Sequence, residues 1–455
     1  MPTSNQRYTG AMTEATLETA RALMGDTLAF HILFALLGVG LPFLMSVFEG
    51  LGLWYKDEDY RRTARAMGFA VTALFVTGAV SGTIVSFQIN LLWPYFMQFA
   101  NPIIGLPFVL EGFAFLVEAV FLGIYLYSWD KLSPFAHWLC SFPLWIGSFA
   151  SAFLITTVNG WMNNPQGFTL APDGTVSNIQ PWVAMFNPTA FYEITHSLLA
   201  YYLTATFLVA AVFAWRLLRI KKTGGNEGYY QKMLTLLLSL ALLFATAVGI
   251  AGDNSGKHIA QTQPIKFAAA ESVYKTGAYQ PLVWAGYVVP VRSETEDPDI
   301  RYELSFPNAL SWLAFDNPSA VVQGLDAFPR SEWPPLYIHY FLNIMITIGI
   351  YLGLVPLVFF LLRHSPWRAY AFNRPLLWAI VAGAPLAFLA VEMGWMLTEI
   401  GRQPYIIKGI MRTSEAVTTN TDMLIFAWIF PFAYLVLFAF TWWILRYHYI
   451  VKPRT

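Results

Sequence analysis

Charged residues are scarce in this sequence of 455 residues, because Asp, Glu, Lys and Arg together make up 12% while hydrophobic residues make up 56%. Soluble globular chains carry about 25% charged residues, so the composition excludes an ordinary soluble enzyme. The formal net charge is zero. Without an overall basic field the chain is not expected to gather nucleic acid. These shortages indicate a membrane protein.

Cysteine is nearly absent as well, since Cys140 is the single one in the sequence. One cysteine excludes an internal disulfide, a CxxCH heme attachment and an iron–sulfur cluster held by several cysteines. The residues before the first apolar run lack the short apolar core and small-residue cleavage site of a signal peptide. We therefore expect the first apolar helix to act as the membrane signal, and any cofactor to be held by other side chains.

Long apolar runs are what the sequence has in abundance. A run of about 20 apolar residues spans a bilayer as a helix. Hydropathy predicts an all-α integral membrane fold with roughly nine transmembrane helices and a long outer loop between spans six and seven. The predicted spans lie near residues 27–49, 66–88, 102–127, 136–158, 188–217, 231–251, 336–362, 375–397 and 423–446.

Basic residues occupy every second connection between these spans, which sets the expected orientation. The opposite connections 89–101 and 159–185 contain no Lys or Arg. The positive-inside rule therefore predicts an outside N-terminus and a cytoplasmic C-terminus. The basic residues on the predicted cytoplasmic side are Lys56, Arg61, Arg62, Lys131, Arg219, Lys221, Lys222, Arg363, Arg368, Arg374, Lys452 and Arg454.

Residues 252–335 form the one long connection, and they divide the chain into 1–251, 252–335 and 336–455. This segment is polar, acidic around Glu294–Asp299, and predicted to lie outside. Loops of this length are usually functional or disordered. A solvated spacer is the alternative, but the dense polar stretch GDNSGKHIAQTQPIKFAAAE at its start favours a functional loop.

Ionisable residues inside the spans need a partner or a task, because each costs on the order of 2.5–3.5 kcal/mol on insertion scales. His31 in the first span and His196 in the fifth are flanked by aromatic and aliphatic residues that suit the faces of a porphyrin. A hydrogen bond to a backbone carbonyl would explain either one alone, whereas two together favour metal ligation. For the other histidines we expect interfacial solvation near span ends or in loops: His137, His258, His339, His364 and His448.

Acidic residues form two further patterns. Glu111 and Glu118 are seven residues apart in the third span and so share one helix face, which favours a proton path over capping of a neighbouring helix. Near the end of the eighth span, one stripe offers either an interfacial salt bridge or an anionic iron ligand beside a propionate-binding arginine. Its members are Glu392, Trp395, Glu399 and Arg402.

The motifs AFHILF, EGF with a second Glu downstream, NGWMNNP, GDNSG followed by KxxxxE, and GRQP occur in this order along nearly the whole chain. Together they resemble the heme-bearing large subunit, subunit I, of the cytochrome bd family of quinol oxidases. The resemblance implies a low-spin heme b, a high-spin heme b and heme d, or a third heme b in its place. It also implies that quinol is oxidised and O2 reduced to water at a high-spin diheme site.

The resemblance carries roles to particular residues. It implies that His196 and Met345 ligate the low-spin heme, and that His31 and Glu399 are axial ligands of the two high-spin hemes in a pairing that stays open. Trp395 and Arg402 match residues that flank the diheme site, and Glu111 lies beside heme d.

The quinol and proton reactions also follow from the resemblance. Lys266 and Glu271 match the quinol-interacting pair of the outer loop, where protons are released outward. Glu111 and Glu118 take up protons from the cytoplasm, so a proton-motive force arises without pumping. The expected location is the bacterial cytoplasmic (inner) membrane. The expected partners are a second multispanning subunit, subunit II, and a small single-helix subunit.

The chain departs from the family pattern at two positions and in one length. Asn343, in the run FLNIM, stands where an arginine is common, and Tyr405 follows GRQP where tryptophan is usual. The loop 252–335 lacks the insertion of the long-loop branch, which indicates the short-loop branch. Two alternatives remain open from the residues: a relative that carries only b hemes, and a heme-free proton-coupled transporter.

Overall fold

The computed structural model of the protein describes residues 14–291, 296–420, 423 and 425–447, without the side chain of residue 222. His448, Lys452, Arg454 and Glu294 lie outside these described residues. Within them, nine helices are long and apolar enough to cross a membrane. The predicted all-α membrane fold with nine spans is therefore confirmed.

The helices, in chain order, are α1 (Glu14–Trp54), α2 (Glu58–Leu92), α3 (Pro94–Tyr127), α4 (Pro134–Asn163), α5 (Pro181–Met185), α6 (Pro188–Thr223), α7 (Glu227–Thr262), α8 (Pro264–Ala270), α9 (Ala309–Phe315), α10 (Ile338–Arg363), α11 (Arg374–Ile400), α12 (Thr413–Ala416) and α13 (Phe426–Arg446). Short 3-10 turns lie at Leu325–Ala327, Arg330–Glu332 and Arg368–Tyr370. The strands are β1 (Thr169–Leu170), β2 (Val176–Ser177), β3 (Gly277–Ala278), β4 (Leu282–Val288), β5 (Ile300–Phe306), β6 (Val321–Val322), β7 (Tyr405–Ile407) and β8 (Met411–Arg412).

Most of the long helices extend past the apolar windows that hydropathy detects, because polar caps decide where they begin. The Asp57 carboxylate accepts a hydrogen bond from the Asp59 N–H ahead of α2 at 3.1 Å. The side chains of Ser133 and Asn373 cap α4 and α11 in the same way, each followed by a proline in the first turn. Hydropathy therefore located the membrane-crossing part of these helices but not their ends.

The chain forms two compact units. The first comprises residues 1–190 and 411–455, and in it α1 packs on α2 and α4, while α3 packs on α4. Glycines allow the close approaches. A Cβ added at Gly147 would lie 3.2 Å from the Glu118 N–H nitrogen, and one at Gly160 would lie 2.7 Å from the Ala190 backbone. The glycine of the NGW motif is therefore a packing position.

The second unit comprises residues 191–410. In it α10 packs on α7 and α11, and α6 contacts α11 where Phe207 fills the space that Gly383 leaves. The long connection between α7 and α10 is not a solvated spacer, because it has an apolar core of its own. Buried members of this core include Phe267, Val273, Leu310, Ala314, Val322 and Leu325.

Short antiparallel strand pairs complete the outer connection of the second unit. β4 pairs with β5, and β3 pairs with β6, so that residues far apart in the loop are tied together. α7 continues into the loop as far as Thr262, and α8 follows it after a one-residue break at Gln263. The polar motif GDNSG and the segment with Lys266 thus lie on helices and not in irregular loop.

We predict that Gly160→Ala destabilises the protein, because the new methyl group would meet the Ala190 backbone, which cannot rotate away. Overpacking of this kind costs about 1–3 kcal/mol, more than the roughly 1 kcal/mol that Ala gains over Gly in a helix. The measurement is the apparent melting temperature of the detergent-solubilised protein. Gly123→Ala on α3 is the control, since no atom of this chain lies within 4 Å of its new Cβ. Equal melting temperatures for the two variants would contradict the prediction.

Candidate functional site

His31 lies in the middle of α1, in the first unit, and one of its ring nitrogens is held. Its Nδ1 lies 2.9 Å from the Ser81 hydroxyl, which donates its own proton to the Gly78 carbonyl at 3.0 Å. Ser81 therefore accepts from Nδ1–H, and Nε2 is left with a free lone pair. A Cβ at Gly82 would lie 3.1 Å from the ring. A histidine oriented through one nitrogen in a notch made by glycine fits metal ligation by the other.

Glu111 and Glu118 occupy the face of α3 that packs on α4, also in the first unit. The Ser151 hydroxyl donates to Glu111 at 2.9 Å. Glu118 is buried next to Ser148 of α4. The predicted common face of the two carboxyls is therefore observed, with a serine opposite each of them.

His196 on α6 and Met345 on α10 belong to the second unit, and each packs against a glycine of a neighbouring helix. A Cβ at Gly252 of α7 would lie 3.2 Å from the His196 ring, and one at Gly394 of α11 would lie 3.1 Å from the Met345 sulfur. Nδ1 of His196 is buried and, among the described residues, has no hydrogen-bond partner of sound geometry. The ring also interacts with the backbone of Val248.

Trp395 links two of these helices. It follows Gly394 on α11, and its indole N–H donates to the Tyr201 hydroxyl of α6 at 3.1 Å. Glu392, one turn earlier, has a buried carboxyl oxygen without a hydrogen-bond partner among the described residues. The sequence did not single out Tyr201, because a tyrosine in an apolar helix carries no motif of its own.

Glu399 and Arg402 form an ion pair at the end of α11, 2.5 Å between Nη2 and the carboxyl oxygen. The Arg402 side chain is only 3% exposed, whereas the Glu399 side chain is 33% exposed. Nε and Nη1 of Arg402 are buried and, within the described part of the chain, have no hydrogen-bond partner. A second anion is needed to satisfy them. A heme propionate has the charge and the oxygen atoms that this site requires.

Lys266 on α8 lies in this charged cluster and not at the surface. A Cβ at Gly401 would lie 3.0 Å from its side chain. Burial, helped by the charges of Arg402 and Lys408 and opposed by those of Glu193 and Glu399, lowers the pKa of Lys266 to about 7. The ammonium of Lys266 therefore shares the negative groups that Arg402 pairs with.

Glu271 directly follows α8 and is buried by the apolar core of the outer loop. Burial raises the pKa of its carboxyl to about 7. One of its oxygens has no hydrogen-bond partner among the described residues. A cavity of about 470 Å³ opens next to Glu271, with Ser272, Tyr274 and Ile300 in its lining.

Two histidines contradict the expectation of interfacial solvation, because His137 and His339 are buried and hydrogen-bonded. Nδ1 of His339 donates to the Ala270 carbonyl at 2.8 Å, which leaves Nε2 to accept from the Asn343 amide at 2.9 Å. His339 thus ties α10 to the end of α8, and Asn343, at the usual arginine position, holds the His339 ring from within α10. From the sequence, both rings are expected to be solvated because they lie near span ends. That expectation is wrong, because neighbouring helices cover these rings.

Comparisons with known proteins match most of the chain. The family described as cytochrome bd terminal oxidase subunit I matches residues 19–453. A Bacillus subtilis protein, provisionally named a cytochrome bd menaquinol oxidase subunit I, is 35% identical over 437 residues, covering 96% of this chain and 97% of that protein. The cytochrome bd ubiquinol oxidase subunit 1 of the same organism is 29% identical over 416 residues, covering 89% and 86%.

A solved structure is similar as well. The bd oxidase from Geobacillus thermodenitrificans matches with a TM-score of 0.90 and 40% identity, covering 96% of this chain and 99% of that chain.

Histidine and methionine side chains set between membrane-crossing helices are typical of a membrane cytochrome, and so is a buried arginine with nitrogens left over for a further acceptor, as Arg402 has among the described residues. The chain belongs to the cytochrome bd oxidase subunit I family. It is thus a multi-pass protein of the bacterial inner membrane and a subunit of a cytochrome bd-type quinol oxidase. Membership implies bound hemes and a partner subunit II.

We predict that Glu271 gives quinol oxidation a pH dependence. Its carboxyl is mostly protonated below the pKa of about 7 and mostly a carboxylate above it, so kcat/KM for quinol should rise as the pH increases through this value. Glu271→Gln should remove this rise and lower kcat/KM above pH 7 by about tenfold or more. Asp173→Asn, in the exposed turn between β1 and β2, is the control. A Glu271→Gln variant with the pH profile of the unmodified protein would contradict the assignment.

Proposed function

We propose that this subunit oxidises a membrane quinol at its outer loop and reduces O2 to water at a high-spin diheme site, and that it builds a proton-motive force without pumping. Three contacts of one kind support the proposal. Three of the four proposed axial ligands pack against a glycine of a neighbouring helix: His31 against Gly82, His196 against Gly252, and Met345 against Gly394.

We propose that His196 and Met345 hold a low-spin heme b, and that His31 and Glu399 each hold one of two high-spin hemes, a heme b and a heme d. When bound, these groups supply one-electron transfer and the site of oxygen reduction. Trp395 keeps α11 against α6 through its bond to Tyr201. Arg402 offers two buried N–H groups to a propionate.

Quinol oxidation releases two protons and two electrons, so the loop must accept protons. We propose that Glu271 is the first proton acceptor, since its carboxyl titrates near neutral pH. Lys266, with its lowered pKa, is proposed to donate a hydrogen bond to the quinol oxygen. The loop is proposed to face outward, with the N-terminus outside and the C-terminus in the cytoplasm, so these protons leave on the outer side.

Water formation consumes protons on the opposite side. We propose that Glu118 and then Glu111 carry them from the cytoplasm toward the oxygen-reducing heme. Both carboxyls lie on one face of α3, and Ser148 and Ser151 of α4 lie beside them. Charge is thereby separated across the membrane, although no proton crosses it completely. The quinol, O2, subunit II and a small single-helix subunit are the proposed partners.

We predict that His196→Ala removes the low-spin heme signal from the reduced-minus-oxidised spectrum of the purified complex, because the iron loses its imidazole. Pyridine hemochrome analysis of the same sample gives the heme types and separates a complex with heme d from one with b hemes alone. His258→Ala is the matched control, since this ring stacks on Tyr192 and is not a proposed ligand. Full retention of the low-spin signal in His196→Ala would remove the assignment.

We also predict that Glu399→Ala loses one high-spin heme and oxygen reduction while the low-spin heme survives. A residue that only paired with Arg402 would leave all hemes in place when replaced. Glu399→Gln separates charge from shape, because it keeps the side-chain volume but removes the anion. Normal heme stoichiometry and unchanged quinol turnover in Glu399→Ala would show that the ligand assignment is wrong.

A further inference from the structure

A seam of polar side chains follows the contact between α3 and α4 in the first unit. On α3, Glu111, Glu118 and Tyr125 recur every seven residues and so share one face. On α4, His137, Ser148 and Ser151 share the facing side, since intervals of eleven and fourteen residues are close to whole numbers of turns. The proposed proton path uses two members of this seam and leaves its far end, at Tyr125 and His137, without a task.

That far end is a closed cluster of three buried side chains. The Tyr125 hydroxyl donates to one carboxyl oxygen of Glu49 from α1 at 2.7 Å, and Nδ1 of His137 lies 2.6 Å from the other. Nε2 of His137 lies 2.9 Å from the Tyr125 carbonyl. Exposed fractions are 0% for Glu49 and Tyr125 and 1% for His137.

The partners of the His137 ring determine where its protons lie. A carbonyl can only accept, so Nε2 carries a proton that stays on it. Because the Tyr125 hydroxyl donates to Glu49, one further proton is shared between Nδ1 and the second Glu49 oxygen. The cluster therefore holds a single transferable proton, either as imidazolium with carboxylate or as neutral imidazole with carboxylic acid. Loss of this proton leaves neutral His137 beside the Glu49 carboxylate.

Polar groups lie on both sides of this cluster. The Trp129 ring covers His137, with 4.1 Å between ring centroids, and beyond it lie Arg65 and Asp130, an exposed ion pair. On the inner side, the Ser141 hydroxyl of α4 bonds to Ser46 of α1 at 2.7 Å, one turn from Glu49.

The remaining distance along the seam is short enough for a hydrogen-bonded chain. Two helical turns, about 10 Å, separate Tyr125 from Glu118. One or two bridging waters would be required to join the two groups across this distance.

We propose that Glu49 and His137 form the proton-loading station of the oxidase, which delivers protons along the α3–α4 seam to Glu118. In each cycle the shared proton moves to the Glu118 carboxylate, and a proton from the aqueous side then restores the neutral cluster, so charge balances and no electron is transferred. Tyr125 is a positioning residue that holds the Glu49 carboxyl. The proposal rests on the proposed proton path through Glu118 and Glu111 and extends it by two titratable groups.

A purely structural tie between α1, α3 and α4 is the competing explanation. A neutral amide would make such a tie without the cost of burying a carboxylate and an imidazole. Glu49→Gln separates the two explanations, because the amide oxygen can accept from Tyr125 and the amide N–H can donate to Nδ1 of neutral His137. The variant keeps both hydrogen bonds and removes the transferable proton.

The test follows the fully reduced complex after it is mixed with O2, with heme absorbance reporting electron transfer and a pH dye reporting proton uptake. For Glu49→Gln we expect proton uptake and turnover about a hundredfold slower, the lower end of what a positioned proton carrier contributes, with heme content and melting temperature unchanged. Proton uptake at the normal rate in this variant would overturn the proposal.

Glu49→Asp decides the matter even where Glu49→Gln folds poorly. Glu49→Asp keeps a titratable carboxyl but shortens the side chain. If the cluster relays protons, uptake per assembled complex should be faster in Glu49→Asp than in Glu49→Gln. If the cluster only holds the helices together, uptake should be slower in Glu49→Asp than in Glu49→Gln. Tyr434→Phe is the matched control for Tyr125→Phe, because the Tyr434 hydroxyl makes a buried 2.7 Å bond to Thr27 away from the seam. Only Tyr125→Phe should slow proton uptake.

Glu118→Gln distinguishes failure of this inference from failure of the proposed function. If Glu118→Gln blocks proton uptake while Glu49→Gln does not, the loading station is wrong and the path through Glu118 stands. If Glu118→Gln takes up protons at the normal rate, the proposed path itself fails, and the loading station fails with it.

Discussion

The need to satisfy every polar group inside an apolar bundle governs this structure. Backbone groups in a bilayer must pair within their own helix, which accounts for the long, capped helices. A side chain has no such partner built into its own helix. A polar or ionisable side chain in a span is therefore costly unless a neighbouring helix supplies a hydrogen-bond partner. Ser81 for His31, Ser151 for Glu111 and Tyr201 for Trp395 meet this need. The polar residues of the spans therefore lie at helix contacts, where cofactors and protons can also be held.

Unsatisfied groups are as informative as satisfied ones. Arg402 uses one nitrogen on Glu399 and leaves two buried N–H groups without partners among the described residues. A buried guanidinium in this state is costly, because its remaining donors have lost water without gaining an acceptor. An anion bound there would satisfy the arginine and also favour the ammonium form of Lys266, whose pKa burial has lowered. An anion at Arg402 would thus be coupled to the charge state of Lys266 through one cluster.

Two buried carboxyl groups, Glu271 and Glu49, differ in their surroundings. Glu271 stands alone in an apolar core, so its raised pKa comes from desolvation without a charged partner. Glu49 is bonded on both oxygens, by Tyr125 and His137. An isolated buried carboxyl is suited to accept a proton that arrives with a substrate, whereas a bonded pair is suited to hold one proton and exchange it. These different tasks follow from how many partners the fold gives each carboxyl.

The sequence by itself determined the nine spans, the membrane class and the family, because apolar runs and ordered motifs are local in the chain. It also found the common face of Glu111 and Glu118, since helical periodicity alone fixes that relation. Only the tertiary structure decided which groups meet across helices. It buried His137 and His339, set Lys266 beside Arg402, and joined Glu49 to Tyr125. Such contacts depend on how separate helices pack. The spacing of residues within one helix does not show which other helix packs against each of its faces.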